Sequence, residues 1–248
     1  MINLIIDWCR RWQLSINVDK CQLLHLGKTN FRFRYGLNGK AIPSTNEVKD
    51  LGLIIDNSLS FSAHISALTS RARARCGVFF KTFISRDKDT MLLFYITYVR
   101  PILEYCCVVW GPVSHSQINS IENVQRYFTN KIPGCTFLPY SQRLARLGLD
   151  SLEHRRSIID LMFLYSIITG SLEISLAPHL LHIPPSITRG HNLKILDPFL
   201  KYSGSRQNFL HRTVSCWNNL PLSVMSSRSR LTFRKNLSIF LKDPCRDH

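Results

Sequence analysis

Apolar residues recur every three or four positions along much of this chain, which is the spacing of amphipathic helices. One such series predicts a helix that opens near Ser60, and its expected buried positions are Ile65, Leu68, Ala72, Cys76 and Phe79. Similar series predict helices over 2–14, from 90 onward with a kink at Pro101, and over 114–132, 140–149, 152–170, 208–220 and 230–242. The pattern therefore predicts a chain that is mostly helical.

The spacing near the N-terminus is different after the first helix, whose expected buried positions are Leu4, Ile5, Trp8, Trp12 and Leu14. Aromatic and arginine residues alternate over 31–35, which predicts a half-buried strand. The Asn38-Gly39 pair favours a type I′ hairpin turn, because both central residues of that turn need a positive φ. Residues 48–55 predict a short apolar strand, in which Gly52 indicates a bulge or the close approach of another backbone.

Capping and turn residues set the limits of several helices. Asp87 to Asp89 are expected to cap the helix that starts at Thr90, and Ser114 with Gln117 fits a capping box. Arg100 and Glu104 are four residues apart and predict an ion pair within one helix. Prolines at 178, 184, 185 and 198 predict an irregular connection over 171–207. The expected fold class is therefore α+β, mostly α: a small antiparallel hairpin or sheet, a helical bundle, and an irregular region that ends in helices.

Charge narrows the choice of partner. Lys and Arg total 32 against 16 Asp and Glu, a formal net charge of +16, which favours a polyanion such as nucleic acid. An acidic membrane surface is the weaker alternative, because the cations are spread along the chain and the longest apolar stretch, 89–110, contains charges and a proline. The eight cysteines include no C-x-x-C pair and indicate a reduced, intracellular protein of the nucleus or cytoplasm.

Five motifs stand in a fixed order: W-x(3)-W with N-x-x-K (8–20), K-D-L-G (49–52), V-R-P-x-L-E-Y (99–105), V-Q-R-x-F (124–128) and W-N-x-L-P (217–221). In this order they resemble the C-terminal part of reverse transcriptases from LINE-type, non-LTR (jockey-like) retrotransposons. The resemblance implies the end of the palm with a primer-grip-like hairpin over 1–57, a helical thumb-like region over 58–170, the irregular connection over 171–207, and short C-terminal helices over 208–248.

The resemblance also implies a set of nucleic-acid-binding residues, namely Lys20, Lys49, Gly52, Arg71, Arg73, Arg75, Arg155 and Arg156. In the family, a lysine at the position of Lys20 is thought to protonate the departing pyrophosphate; a solvated lysine in a turn is the alternative. Residues 49 and 52 fall in the primer grip. The five arginines would contact phosphates, which requires long cations and no sequence code; solvated basic helix faces are the alternative.

Polymerase chemistry needs paired carboxylates that hold two divalent ions. None of the eleven aspartates is adjacent to another, and the family carries its catalytic aspartates upstream of these motifs. We therefore expect no polymerase activity from this chain alone and no cofactor of its own, although the intact enzyme would need magnesium. The expected partner is an RNA or DNA template–primer. Two alternatives are a structural or protein-interaction module, pairing with the palm and fingers or with itself, and an incomplete gene model of a full reverse transcriptase.

Overall fold

The structure is a computed structural model that describes residues 2–27, 30–37, 39–112, 114–174, 193–195 and 209–241. It confirms the predicted fold class, which is mostly α with short strands near the N-terminus. The chain divides into two compact units, Met1–His64 and Ile65–His248. The predictions for Asn38, for the four prolines of 171–207 and for the outer ends of the last two helices lie outside the described residues.

The first unit contains helix α1 (Ile2–Arg11) and a 3₁₀ turn (Val18–Lys20). Its strands are β1 (Leu23–Leu24), β2 (Gly36–Leu37), β3 (Lys40–Ala41), β4 (Ser44–Thr45), β5 (Glu47–Asp50) and β6 (Leu53–Asp56). Strand β1 pairs with β4 in parallel, whereas β2–β3 and β5–β6 are antiparallel. Gly39 lies between β2 and β3 with φ of +77°, as a hairpin turn requires.

Residues 48–55 form a hairpin, so the prediction of one strand was wrong. Val48 lies opposite Ile55, and the chain reverses at Leu51 and Gly52. These two residues have φ of +45° and +87°, the left-handed pair that a type I′ turn needs. Gly52 is thus the second residue of a tight turn, where a missing Cβ avoids strain, and not a bulge inside a strand.

Two apolar patterns in the first unit do not produce burial. Residues 31–35, all of them described, form no strand; Phe31 is 87% exposed and Arg32 has φ of +53°, which is not extended. Helix α1 ends at Arg11, and Trp8 and Trp12 are 55% and 63% exposed. Periodicity selects an apolar face, but burial also needs a neighbouring element to cover that face. Both predictions of burial were therefore wrong.

Asp56, the last residue of β6, accepts several hydrogen bonds from the turn that follows it. Its carboxylate accepts from the backbone N–H of Ser58 (3.0 Å), Ser60 (3.0 Å) and Phe61 (2.8 Å). Burial opposes the charged form, but these hydrogen bonds together outweigh it and lower the pKa of Asp56 to about 2. The Ser60 hydroxyl oxygen accepts from the N–H of Ser62 (3.3 Å), the residue at which helix α2 begins. The predicted cap is thus present, and Asp56 orders the turn that leads to it.

Helix α2 (Ser62–Thr82) continues into the second unit, which is helical. The helices that follow are α3 (Lys88–Phe94), α4 (Arg100–Glu104), α5 (His115–Asn130), α6 (Tyr140–Leu147), α7 (Leu152–Ile168), α8 (Phe209–Asn218), α9 (Leu222–Met225) and α10 (Arg230–Leu241). A π-helical turn (Tyr95–Val99) joins α3 to α4 just before Pro101, where the helix restarts as predicted. Asp87 caps α3, and Ser114 with Gln117 forms the predicted capping box of α5.

Two apolar clusters hold the second unit together. Phe79 of α2 lies 4.4 Å from Phe94 of α3 and 5.8 Å from Phe128 of α5, measured between ring centroids. The predicted α2 stripe is buried throughout, which confirms that prediction. In the second cluster, Tyr165 of α7 stacks on Phe233 of α10 at 4.1 Å, beside the fully buried Trp217 of α8. Aromatic pairs of this kind add stability beyond the apolar area that they bury.

A buried polar network ties α5 to the helices around it. Glu122 is 4% exposed, and its carboxylate accepts hydrogen bonds from the Tyr140 hydroxyl and from the N–H of Leu152 at 3.1 Å. Gln125 is fully buried; its carbonyl accepts from the Tyr95 hydroxyl, and its amide donates to the Tyr140 hydroxyl oxygen at 2.8 Å. Glu122, and Gln125 of the V-Q-R-x-F motif, therefore have a structural role that periodicity did not predict.

Two ion pairs fasten α7 to neighbouring segments. Glu104 pairs with Arg155 of α7 (Nη2–Oε2 3.0 Å) and not with Arg100, so the predicted pair within one helix was wrong. Arg212 of α8 donates to both carboxylate oxygens of Asp160, at 2.8 and 3.2 Å, and to the carbonyl of Cys107 at 3.1 Å. Charged side chains that are mostly buried need such partners, and here the partners lie far apart in sequence.

Candidate nucleic-acid interface

The three residues predicted to bind nucleic acid from the first unit lie on two elements. Lys20 is the exposed last residue of the 3₁₀ turn. Lys49 is exposed on β5, and Gly52 lies in the turn that ends the same hairpin. The structure thus brings residues 49 and 52 together on one hairpin, and it places Lys20 on a separate element of that unit.

The three α2 arginines are exposed and flank the buried stripe of that helix. Arg71 and Arg75 lie one turn apart, whereas Arg73 points to another side of the helix. The α2 positions directly after Arg71 and Arg75, namely Ala72 and Cys76, are fully buried. The helix is therefore fixed by its apolar face while its guanidinium groups stay in solvent, which is the arrangement that allows arginines to contact phosphates.

The two α7 arginines differ in their surroundings. Arg155 is partly exposed, and its hydrogen bond to Glu104 raises its pKa above the ordinary value. Arg156 is 6% exposed; burial lowers its pKa, and its terminal nitrogens contact no acceptor in the described residues. The solvated helix end was thus the wrong interpretation for Arg156. Its phosphate contact stays a prediction that this burial does not favour.

A cation–aromatic cluster, defined as Phe80, Arg86, Tyr127 and Lys131, lies at the C-terminal end of α2. The Lys131 ammonium is 5.4 Å from the Phe80 ring centre and 5.2 Å from that of Tyr127. The Arg86 guanidinium is 5.9 Å from the Phe80 ring, and Tyr127 is 44% exposed. Exposed aromatic rings beside cations suit nucleic acid, because bases stack on the rings and phosphates pair with the cations.

Sequence reasoning missed this cluster. Tyr127 of α5 and Lys131, the C-cap residue of that helix, are four residues apart, so their proximity could have been predicted from spacing. Phe80 lies 47 positions earlier than Tyr127, and the two rings meet edge to face at 6.0 Å between centroids. That contact depends on how α2 packs against α5, which no local pattern records.

Two kinds of structural feature are absent from the described residues. Among them, no group of three or more His, Cys, Asp or Glu side chains is arranged to hold a metal ion. No helix in the described ranges is both long enough and apolar enough to cross a membrane.

Comparisons with known proteins found relatives among mobile elements. A probable RNA-directed DNA polymerase from transposon X-element of Drosophila melanogaster is 28% identical over 144 residues, which is 56% of this chain and 16% of the relative. The RNA-directed DNA polymerase from mobile element jockey of Drosophila funebris is 33% identical over 134 residues, 52% of this chain and 14% of the relative. An uncharacterized protein of Caenorhabditis elegans is 27% identical over 128 residues, 50% of this chain and 65% of the relative.

These matches confirm the resemblance to RNA-directed DNA polymerases of jockey-like, non-LTR retrotransposons, over about half of this chain. The matched region spans only 14–17% of the length of the polymerases of the X-element, of jockey of Drosophila funebris and of transposon BS. No family model matches the chain. No solved structure matches it either.

Proposed function

From the similarity to polymerases of mobile elements, we propose that this chain binds the template–primer of a reverse transcriptase. It holds RNA or DNA through the phosphate backbone, without sequence preference, and it does not synthesise DNA by itself. We assign synthesis, and the magnesium ions that synthesis needs, to polymerase segments outside these 248 residues. The observation that carries the proposal is the arginine row of α2, defined as Arg71, Arg73 and Arg75, which is exposed on a helix whose apolar stripe is anchored in the core.

Charge and geometry support the same partner. The net charge of +16 attracts a polyanion at long range, and counterion release then favours phosphate contacts. One ring of the cation–aromatic cluster, Phe80, lies on the same helix as the arginine row, and the cluster offers stacking surface to unpaired bases. Neither feature reads a base edge, so the expected binding depends on salt and tolerates any sequence.

Binding is tested with the paired variant Arg71→Gln/Arg75→Gln on an RNA–DNA hybrid. Loss of two phosphate contacts is expected to reduce the magnitude of the slope of log affinity against log salt concentration by about 2. It is also expected to weaken binding to all nucleic-acid sequences alike. Fluorescence anisotropy across a salt series measures both quantities. The matched control, Arg228→Gln/Lys235→Gln, removes two exposed charges elsewhere. Equal losses in the two variants would show that α2 holds no particular phosphate.

Primer extension tests the second half of the proposal. The purified chain, given an RNA template, a DNA primer, nucleotides and magnesium, is expected to extend no primer, because its sequence contains no paired aspartates for the metal ions. Nucleotide incorporation above that of a protein-free sample would contradict the proposal that the chain does not synthesise DNA by itself. It would not affect the proposal that the chain binds nucleic acid.

A second candidate function is protein interaction, and the exposed apolar face of α1 favours it. Leu4 is 72% exposed and Trp8 is 55% exposed. Exposed apolar faces of this kind promote association with a partner or with a second copy. If this function dominates, size-exclusion chromatography shows self-association that does not respond to salt, and Trp8→Gln/Trp12→Gln abolishes it; no salt-dependent shift of nucleic acid accompanies it.

A further inference from the structure

A groove with a basic rim runs between α7 and α10, separate from the α2 arginines. It has a volume of about 250 Å³ and is lined by Asp150, Arg155, Ile158, Ile159, Met162, Arg230, Arg234 and Ser238. One molecule of liquid water takes up about 30 Å³, so a phosphate group with part of its sugar fits in the groove. The stacking of Tyr165 on Phe233 holds the two helices in register beneath it.

Helical spacing explains why these residues converge. Positions 230, 234 and 238 of α10 are four apart, so Arg230, Arg234 and Ser238 share one face. On α7, Ile158 and Met162 are also four apart, and at 9% and 8% exposed they form an apolar floor. The groove therefore presents guanidinium groups and a hydroxyl above an aliphatic surface.

The groove concentrates positive charge. Arg155 and Arg234 lie close enough to affect Arg100, which is beside the groove: burial lowers the pKa of Arg100, and the positive charges of Arg155 and Arg234 lower it further. Glu104 and Asp150 are the acidic neighbours of Arg155. Three arginines (155, 230 and 234) and Asp150 line the groove, and Arg100 and Glu104 lie beside it. The four arginines outnumber the two carboxylates, and gathering like charges destabilises a fold unless a counter-anion binds.

We propose that the α7–α10 groove binds a phosphodiester of the nucleic-acid backbone, as a second contact beyond the α2 row. The phosphate lies between Arg230 and Arg234, which donate from α10, and Arg155, which Glu104 holds in position on α7. The attached sugar packs on Ile158 and Met162. This inference rests on the proposed function, and it adds to it a C-terminal anchor for the same strand or duplex.

The test compares the groove variant Arg230→Gln/Arg234→Gln with the control Arg228→Gln/Lys235→Gln, which removes equal charge from exposed positions in and beside the same helix. The groove variant is expected to bind an RNA–DNA hybrid at least about tenfold more weakly than the control does. The magnitude of its slope of log affinity against log salt concentration is expected to fall by about 2. Arg230→Lys/Arg234→Lys keeps the charge and is expected to restore most of the salt slope. Circular dichroism melting checks that each variant is folded.

The outcomes separate this inference from the function on which it rests. If the α2 variant loses binding while the groove variant behaves as its control does, the groove proposal is wrong and the proposed function stands. If the unaltered chain binds no nucleic acid at any salt concentration, both are wrong. A selective loss in the groove variant, recovered by lysine, supports the groove as a phosphate site.

Discussion

Replacing Arg212 by methionine is expected to destabilise the second unit by roughly 3–5 kcal/mol, the usual cost of leaving a buried charge without its partner. Arg212 donates to both oxygens of Asp160, at 2.8 and 3.2 Å, and also to the carbonyl of Cys107. Methionine keeps the aliphatic bulk but donates nothing, so the buried Asp160 carboxylate loses its hydrogen-bond donor and keeps only the nearby positive charge of Arg156. Urea unfolding followed by circular dichroism measures the loss as a lower midpoint.

The pH dependence of the stability of Arg212→Met tests whether the loss of stability comes from Asp160. Burial raises the pKa of Asp160 above its ordinary value, and the hydrogen bonds from Arg212 oppose that rise. Without Arg212 the folded-state pKa rises further, so the protonated form is favoured in the fold. A raised carboxyl pKa stabilises the fold at low pH, and that stabilisation is lost as pH rises through the folded-state pKa. The deficit of the variant should therefore be larger at neutral pH than at mildly acidic pH.

The double variant Asp160→Asn/Arg212→Met is the control for charge. It removes the carboxylate that has lost its hydrogen-bond donor and should recover part of the lost stability, with little pH dependence left. A double variant that is no more stable than Arg212→Met would mean that the contacts of Arg212 to the Cys107 and Val108 carbonyls, and not its pair with Asp160, stabilise this corner.

Replacing Glu122 by leucine is the second large effect that we expect, at roughly 2–6 kcal/mol for two buried donors left without an acceptor. Those donors are the Tyr140 hydroxyl and the N–H of Leu152, which opens helix α7. The carboxylate also lies at the N-terminal end of that helix, where negative charge is favoured. Denaturant unfolding is again the measurement.

Two matched variants sharpen this result. Glu122→Gln keeps the shape and one acceptor oxygen, and it should cost clearly less than leucine. Glu153→Gln removes a charge from the first turn of the same helix at an exposed position, and it should change stability little. If Glu122→Leu unfolds at the same urea concentration as the unaltered chain, the polar network does not hold α5 to α7.

Local pattern was a sound guide to helices in the second unit. Asp87 and Ser114 mark helix starts that the structure confirms, because a cap needs only the residues within one turn. The buried stripe of α2 was likewise predictable, since one continuous helix repeats its face every 3.6 residues. Helix α9 was missed because its four residues are too short to show a period.

The same reasoning failed where a second segment decides the outcome. In the first unit, residues 31–35 have the spacing of a half-buried strand and the first helix has the spacing of an amphipathic helix. Phe31 and Trp12 are nevertheless exposed, because no neighbouring element covers them in the described part of that unit. Glu104 had a suitable partner four residues away in Arg100, but it binds Arg155, 51 positions along the chain. A charged side chain pairs with the group that packing brings closest to it, and that group cannot be identified from its distance along the sequence.

Some residues of the candidate interface could be named from the sequence, and others became evident only from the structure. The arginines of α2 were named from the family resemblance and the basic charge, and the structure finds all three of them exposed. The α7–α10 groove could not be named in this way, because Arg155 and Arg234 are 79 positions apart and meet only once two helices have packed.

The sequence by itself determined the helical class, the basic character and the family resemblance, since each depends on residue types and short spacings. Tertiary structure alone decided which charges are exposed and which are buried. It paired Arg212 with Asp160 and Arg155 with Glu104, and it left the nitrogens of Arg156 inside the bundle. The physical reason is that a charge is stabilised or destabilised by whatever surrounds it in space, and folding brings those surroundings from distant parts of the chain.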